Sequence, residues 1–177
     1  MPIRRVVIGQ ATDGRTVVLG DEDVSPITVS LFPGAEFLPV WGSDGTPQLP
    51  AAADRAQPKD WFPPPGGFRF AFVTLPPNTV TMPEDLNVGA ALVEFREKLP
   101  GLAEVMEPDN PGMHTTDTVD VVLIVSGQAT LDLGDGDELT LETGDCVVQH
   151  GTRHAWRNVT SQPCTMASAI FGARRTA

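Results

Sequence analysis

The sequence predicts an all-β protein, a jelly-roll β-barrel with an N-terminal extension and one short helix. Two observations predict it. From residue 110 onward, short apolar runs return at roughly 8 to 12 residues with turn formers between them, the spacing a jelly roll or barrel requires. Seventeen prolines and seventeen glycines among 177 residues surround short strands with many turns and leave little room for long helices. A chain of this length suits one domain and can bury a real core. Residues 1–109 are read as N-terminal strands, a proline-rich loop and a short helix that contribute to the barrel, and residues 110–177 as the region that carries its motifs.

In chain order, Arg4–Ile8, Thr16–Leu19, Ile27–Phe32 and Glu36–Trp41 read as short strands that extend the sheets or reach a second subunit. Residues 43–66 form a loop rich in proline, alanine and aspartate. Proline fixes the backbone at low entropy, so this loop is expected to be ordered, with Trp61 and Phe62 docked on the barrel. Phe68–Leu75 is the clearest strand of this half. Phe68, Phe70 and Phe72 fall at period two on one face, where they either fill the core or wall an apolar pocket. Pro83-Glu84-Asp85-Leu86 resembles a helix start, and Ala90–Leu99 is the single helix, stopped near Pro100-Gly101.

The C-terminal half then alternates strand and turn. Asp120–Val125 ends at Ser126-Gly127, and Ala129–Leu133 ends at Gly134-Asp135-Gly136-Asp137, a hairpin signal that lacks the residue order of a calcium loop. Glu138–Leu141, Cys146–Gln149, His154–Val159 and Thr165–Phe171 follow as strands, with His150–Arg153 as a loop. Cys146 lies in an apolar run and reads as a small buried hydrophobe; neither it nor Cys164 has metal or redox spacing.

His114, Asp120 and His154 stand out among these elements as candidate metal ligands. On one flat strand His114 and Asp120 would share a face but lie about 20 Å apart at roughly 3.3 Å per residue. Ligand atoms must sit about 2.0–2.2 Å from a transition ion, so Thr115–Val119 would have to bend and return Asp120 toward His114. Thr and Asp side chains can support such a bend by bonding neighbouring backbone groups. Two imidazoles and a carboxylate suit non-haem iron(II) or a related divalent ion with open positions.

This frame resembles the cupin superfamily. The first cupin motif, a His-x-His followed by a glutamate and a glycine, is matched by His114-x-Thr116-x3-Asp120-x6-Gly127, with Thr116 at the second histidine and Asp120 in place of the glutamate. The second motif is matched by Gly144, Gly151, His154 and Asn158, with Gln149 at its proline. The resemblance covers about residues 110–173. It implies a jelly roll, a divalent metal (Fe, Zn, Mn or Ni) on His114, Asp120 and His154, and a homodimer. A pocket including Thr116, Gln149 and Trp156 would receive a small organic substrate.

Three functions are compatible with that reading. One is a metal-dependent oxidoreductase or dioxygenase with His114, Asp120 and His154 as its catalytic centre. Another is a metal-free acid–base isomerase or dehydratase, in which Asp120 orients an imidazole that moves the proton. The third is a cupin that binds a metabolite without turnover. Fold alone does not choose among them.

The remaining polar residues are expected to be structural. His150 is separated from His154 by a turn, Asn158 stabilises a turn, and Arg153 and Arg157 are solvated charges. A net charge of −11 argues against nucleic acid as a partner. No run approaches membrane-spanning length and no cleavable leader is recognised, so a cytoplasmic location is the simplest expectation.

Overall fold

A computed structural model of the chain describes residues 2–49 and 58–176. The part of the proline-rich loop at 50–57 lies outside the described residues. Among the described residues ten strands and two helices follow one another: β1 Ile3–Gln10, β2 Thr16–Val24, β3 Glu36–Ser43, β4 Phe68–Leu75, α1 Val88–Lys98, α2 Leu102–Val105, β5 Thr118–Ser126, β6 Gln128–Gly134, β7 Asp137–Glu142, β8 Cys146–His150, β9 Ala155–Arg157 and β10 Cys164–Gly172. All pairings are antiparallel. A five-stranded sheet, β3-β4-β10-β5-β8, and a three-stranded sheet, β7-β6-β9, form the jelly roll, while β1 and β2 pair with each other as a separate hairpin. The fold is an all-β jelly roll, as the sequence predicts.

Strand β5 shows how the sequence builds the sandwich. Alternate residues Thr118, Asp120, Val122 and Ile124 are buried, whereas Leu123 is exposed, the period-two pattern of a strand with one face on the core. At the next hairpin Asp135 and Gly136 both take positive φ, 55° and 90°, the backbone a two-residue hairpin loop demands. The larger sheet joins strands from both halves of the chain, since β3 and β4 pair alongside β10, β5 and β8. Edge strand β3 carries Pro39, with a register shift between Pro39 and Trp41.

Two apolar clusters hold the layers. Val29, Phe37, Phe95, Leu99 and Leu102 join α1 and α2 to β3, and Phe32, Trp61 and Phe62 pack against them. The second gathers Val122, Ile124, Ala129, Cys164 and Met166 between the sheets. Trp61 and Phe62 dock as the loop reading expected: the Trp61 ring meets Phe37 edge-on at 5.5 Å, and the Trp61 backbone N–H donates to the Pro100 carbonyl at 2.8 Å.

Several expectations are corrected here. Ile27–Phe32 is a turn in which only Ile27 bridges to Phe37, because the Phe32 N–H closes onto the Val29 carbonyl. Pro83–Leu86 is also a turn; α1 begins at Val88, with Asn87 as the cap accepting from the Ala90 N–H at 3.0 Å, and α2 is a second helix. Phe70 and Phe72 neither fill the core nor wall a pocket. They stack edge-on at 5.5 Å on the outer face of β4, with Phe70 exposed, and the buried positions on either side of Phe70 are Arg69 and Ala71. Arg69 is tolerated inside because its guanidinium donates to the carbonyls of Ser43, Asp60 and Phe68 and to Asp44. Cys146 is exposed; only Cys164 is buried, and burial pushes its thiol up to about 11.

Candidate functional site

Between the sheets lies a cavity of about 460 Å³, lined by His114, Asp120, Gln149, His154 and Trp156 together with apolar side chains from both halves of the chain. That volume suits a small organic ligand. Trp61, Phe62, Val73 and Leu75 contribute to the apolar wall, and among the described residues neither lysine nor arginine lines it.

The two histidines meet through their backbones. The His114 N–H donates to the His154 carbonyl at 2.9 Å and the His154 N–H to the His114 carbonyl at 3.0 Å, a bridge that continues β9 and sets the rings 4.3 Å apart. His114 Nδ1 lies 2.9 Å from the Gly112 carbonyl, and His154 Nδ1 lies 2.8 Å from that of Thr152. A carbonyl oxygen only accepts, so each Nδ1 carries the proton and each Nε2 keeps its lone pair. Burial holds both imidazoles below their usual range. His154 falls to about 4, through burial and then the proximity of His114. Both rings are therefore neutral acceptors at neutral pH.

Asp120 belongs to the other layer. On β5 it pairs in register with Gln149 of β8 and Ile170 of β10, and it is 7% exposed. Burial pushes its carboxyl up to about 6, against a smaller opposing pull from the Thr118 hydroxyl. Its Oδ1 has no hydrogen-bond partner, and neither has Nε2 or Oε1 of Gln149. Buried polar atoms are normally satisfied, so three orphans on one cavity wall mark where a ligand's polar atoms belong.

The expected three-donor metal centre does not assemble. Among the described residues no group of three or more His, Cys, Asp or Glu side chains is placed to hold a metal ion. The reason is topological: His114 and His154 extend the three-stranded sheet, Asp120 stands on the five-stranded sheet, and packed sheets lie about 10 Å apart. The chain between them bends at Asp117, and the three side chains face one cavity without grouping as a metal-holding set. Thr116, at the position of the second cupin histidine, turns away; its hydroxyl meets that of Thr118 at 2.7 Å and it lines a separate cavity of about 180 Å³ with His150. The donors present do not fit a divalent ion bound by His114, Asp120 and His154 together. Backbone carbonyls, and not Asp120, orient the imidazoles at Nδ1, and Asp120 Oδ1 has no hydrogen-bond partner.

Of the other expected pocket residues, Trp156 lines the cavity with its ring 6.4 Å from that of His154, edge to face. Gln149 was visible as a motif position, but its isolation from every partner was not. Asn158 stabilises a turn by donating to the Gln162 carbonyl and accepting from Thr160. Arg153 and Arg157 are ion-paired with Glu107 and Asp132. No helix among the described residues is long and apolar enough to cross a membrane.

The family model of the cupin domain matches residues 103–170. Oryzines biosynthesis cluster protein J of Aspergillus oryzae is 33% identical over 79 residues, covering 45% of this chain and 40% of that protein. Phomopsin biosynthesis cluster protein C' of Diaporthe leptostromiformis is 33% identical over 93 residues, covering 45% of this chain and 49% of that protein. The matches thus span less than half the length of these relatives. Among solved structures, the cupin domain of an XRE family transcriptional regulator from Enterobacter cloacae is 20% identical, with a TM-score of 0.38 over 60% of this chain and 83% of that one. The motif residues, the antiparallel two-sheet architecture and the family match agree on residues 103–170, and that segment matches a cupin domain.

Proposed function

We propose that this protein binds a small, neutral organic molecule in the cavity between its sheets and moves a proton on it without needing a metal. The observation that carries the reading is Asp120, a buried carboxyl with an unpartnered oxygen facing the cavity and a proton affinity raised to about 6. A group poised near neutral pH can both take and return a proton. In this scheme the Asp120 carboxylate removes a proton from carbon next to a carbonyl and delivers it back at the same or a neighbouring carbon. The Gln149 Nε2–H, on the adjoining strand, donates to the carbonyl oxygen as negative charge develops there. His114 and His154, as neutral acceptors, hold a hydroxyl or N–H elsewhere on the molecule. Isomerase-like chemistry follows from that division of roles, and the biosynthesis-cluster names of the two fungal relatives support a small-molecule substrate.

The test is deuterium incorporation from D2O into 2-phenylcyclohexanone, followed by proton NMR, with metal content measured on the same preparation. The parent protein should exchange the proton beside the carbonyl, and Asp120→Asn should be slower by at least about a hundredfold, the scale of general acid–base catalysis. Exchange no faster than buffer, or undiminished in Asp120→Asn, overturns the proposal. So does a stoichiometric metal whose removal abolishes exchange.

A further inference from the structure

Gln149 carries an unmet demand that the proton-transfer scheme only half answers. It is 5% exposed, lines the cavity, and has no partner for Nε2 or Oε1. Its backbone is fixed in β8 opposite Asp120, so the carboxamide is anchored to a rigid strand. A carboxamide presents a donor and an acceptor side by side in one plane. Its complement is an acceptor and a donor in the same arrangement, which is the edge of a cis-amide. With no lysine or arginine among the described lining residues, the cavity offers a carboxylate or phosphate no counter-charge, and it places the Asp120 carboxyl close by. Trp61, Phe62, Val73 and Trp156 supply apolar contact for the rest of the molecule.

From this we infer that the cavity selects lactams, uncharged cyclic cis-amides on an apolar body, by pairing the Gln149 carboxamide with both the ring N–H and the ring carbonyl. This deepens the proton-transfer reading and rests on it for the choice of cavity. The pairing leaves Asp120 free to face the carbon on the other side of the carbonyl. Gln149 is thereby the specificity-determining residue, and Asp120 the reacting one.

The experiment compares binding of 3-phenyl-2-piperidinone, its N-methyl derivative and the matching six-membered lactone by calorimetry, for the parent, Gln149→Met and Asp120→Asn. The parent should prefer the lactam over each analogue by at least about tenfold, because either analogue leaves the Gln149 oxygen buried without a donor. Gln149→Met should bind the three alike, while Asp120→Asn, which removes the base but leaves the Gln149 carboxamide, should keep the preference. Circular dichroism and thermal melting confirm that both variants are folded, and loss of the lactam preference in folded Asp120→Asn overturns the inference, which keeps it falsifiable should Gln149→Met fail to fold. Equal binding of all three compounds to the parent overturns the inference, as does a preference that survives Gln149→Met, or no binding of any of them. Deuterium exchange into 2-phenylcyclohexanone is read separately: if it fails while the lactam preference holds, the proton-transfer reading falls and the lactam site stands.

Discussion

Asp120 and His154 give this protein opposite responses to acid over nearly the same range. Asp120 holds its proton more tightly in the folded chain, about 6 against an ordinary 3.8, so the stability linked to it is fully present below about pH 4 and is lost as pH rises through 6. His154, lowered to about 4 from 6.5, does the reverse: below pH 6.5 the unfolded chain takes up a proton that the folded chain refuses, and stability falls with acid. Each linkage is on the order of 3 kcal/mol. Urea unfolding from pH 4 to 7 should therefore show Asp120→Asn gaining on the parent as pH rises, with the gain complete near pH 7. A constant difference between the two proteins across that range would disprove the assignment. The sequence displayed both groups, along with His114, because histidine and aspartate are scarce enough in an apolar strand to notice. It did not display their separation onto two sheets, since that depends on where the chain bends near Asp117. Gln149 was harder still, because a glutamine in a strand announces nothing until its surroundings are known to lack partners.

Glycine-marked turns were legible, turns without glycine at Ile27–Phe32 and Pro83–Leu86 were not, and strand faces were misassigned. The Asp135-Gly136 hairpin is where the glycine-rich acidic stretch suggested, and Gly127 ends β5 for a reason a sequence can hint at but not measure. Its φ is +79°, and a Cβ there would come within 2.4 Å of the Pro163 carbonyl oxygen and 2.9 Å of the Cys164 Cα, both backbone atoms that cannot swing aside. Gly127→Ala should lower stability by more than about 2 kcal/mol in urea denaturation, by combined strain and overpacking. Gly45→Ala, whose added carbon would meet no atom within 4 Å, should stay within about 0.5 kcal/mol. Period two in Phe68–Phe72 correctly grouped the phenylalanines and assigned them to the wrong side. Alternation states which residues share a face, and only the packing of neighbours decides which face is buried. The buried arginine between them defeats hydrophobicity as a guide, because four hydrogen-bond acceptors satisfy it and none is adjacent to Arg69 except the Phe68 carbonyl.

At the scale of the molecule, the recognisable motifs occupy the C-terminal part, yet the cavity they face is closed by residues that carry no motif. Phe32, Phe37, Trp61 and Phe62 line it from the N-terminal half, and Phe32 is braced by Phe95 of α1 at 5.3 Å, edge to face. Phe95→Ala should cost about 3–5 kcal/mol in urea denaturation. It should also weaken binding of 3-phenyl-2-piperidinone, although Phe95 does not line the cavity; unchanged affinity would show that α1 supports the fold without shaping the site. The motif region was legible because its spacing survives substitution, whereas aromatic packing between distant segments leaves no local pattern. Pro39 has a different reach. Standing on the outermost strand of the larger sheet beside a slipped register, it offers an approaching chain no amide hydrogen and no straight rim to follow. Strand addition by another copy is thus refused at that border.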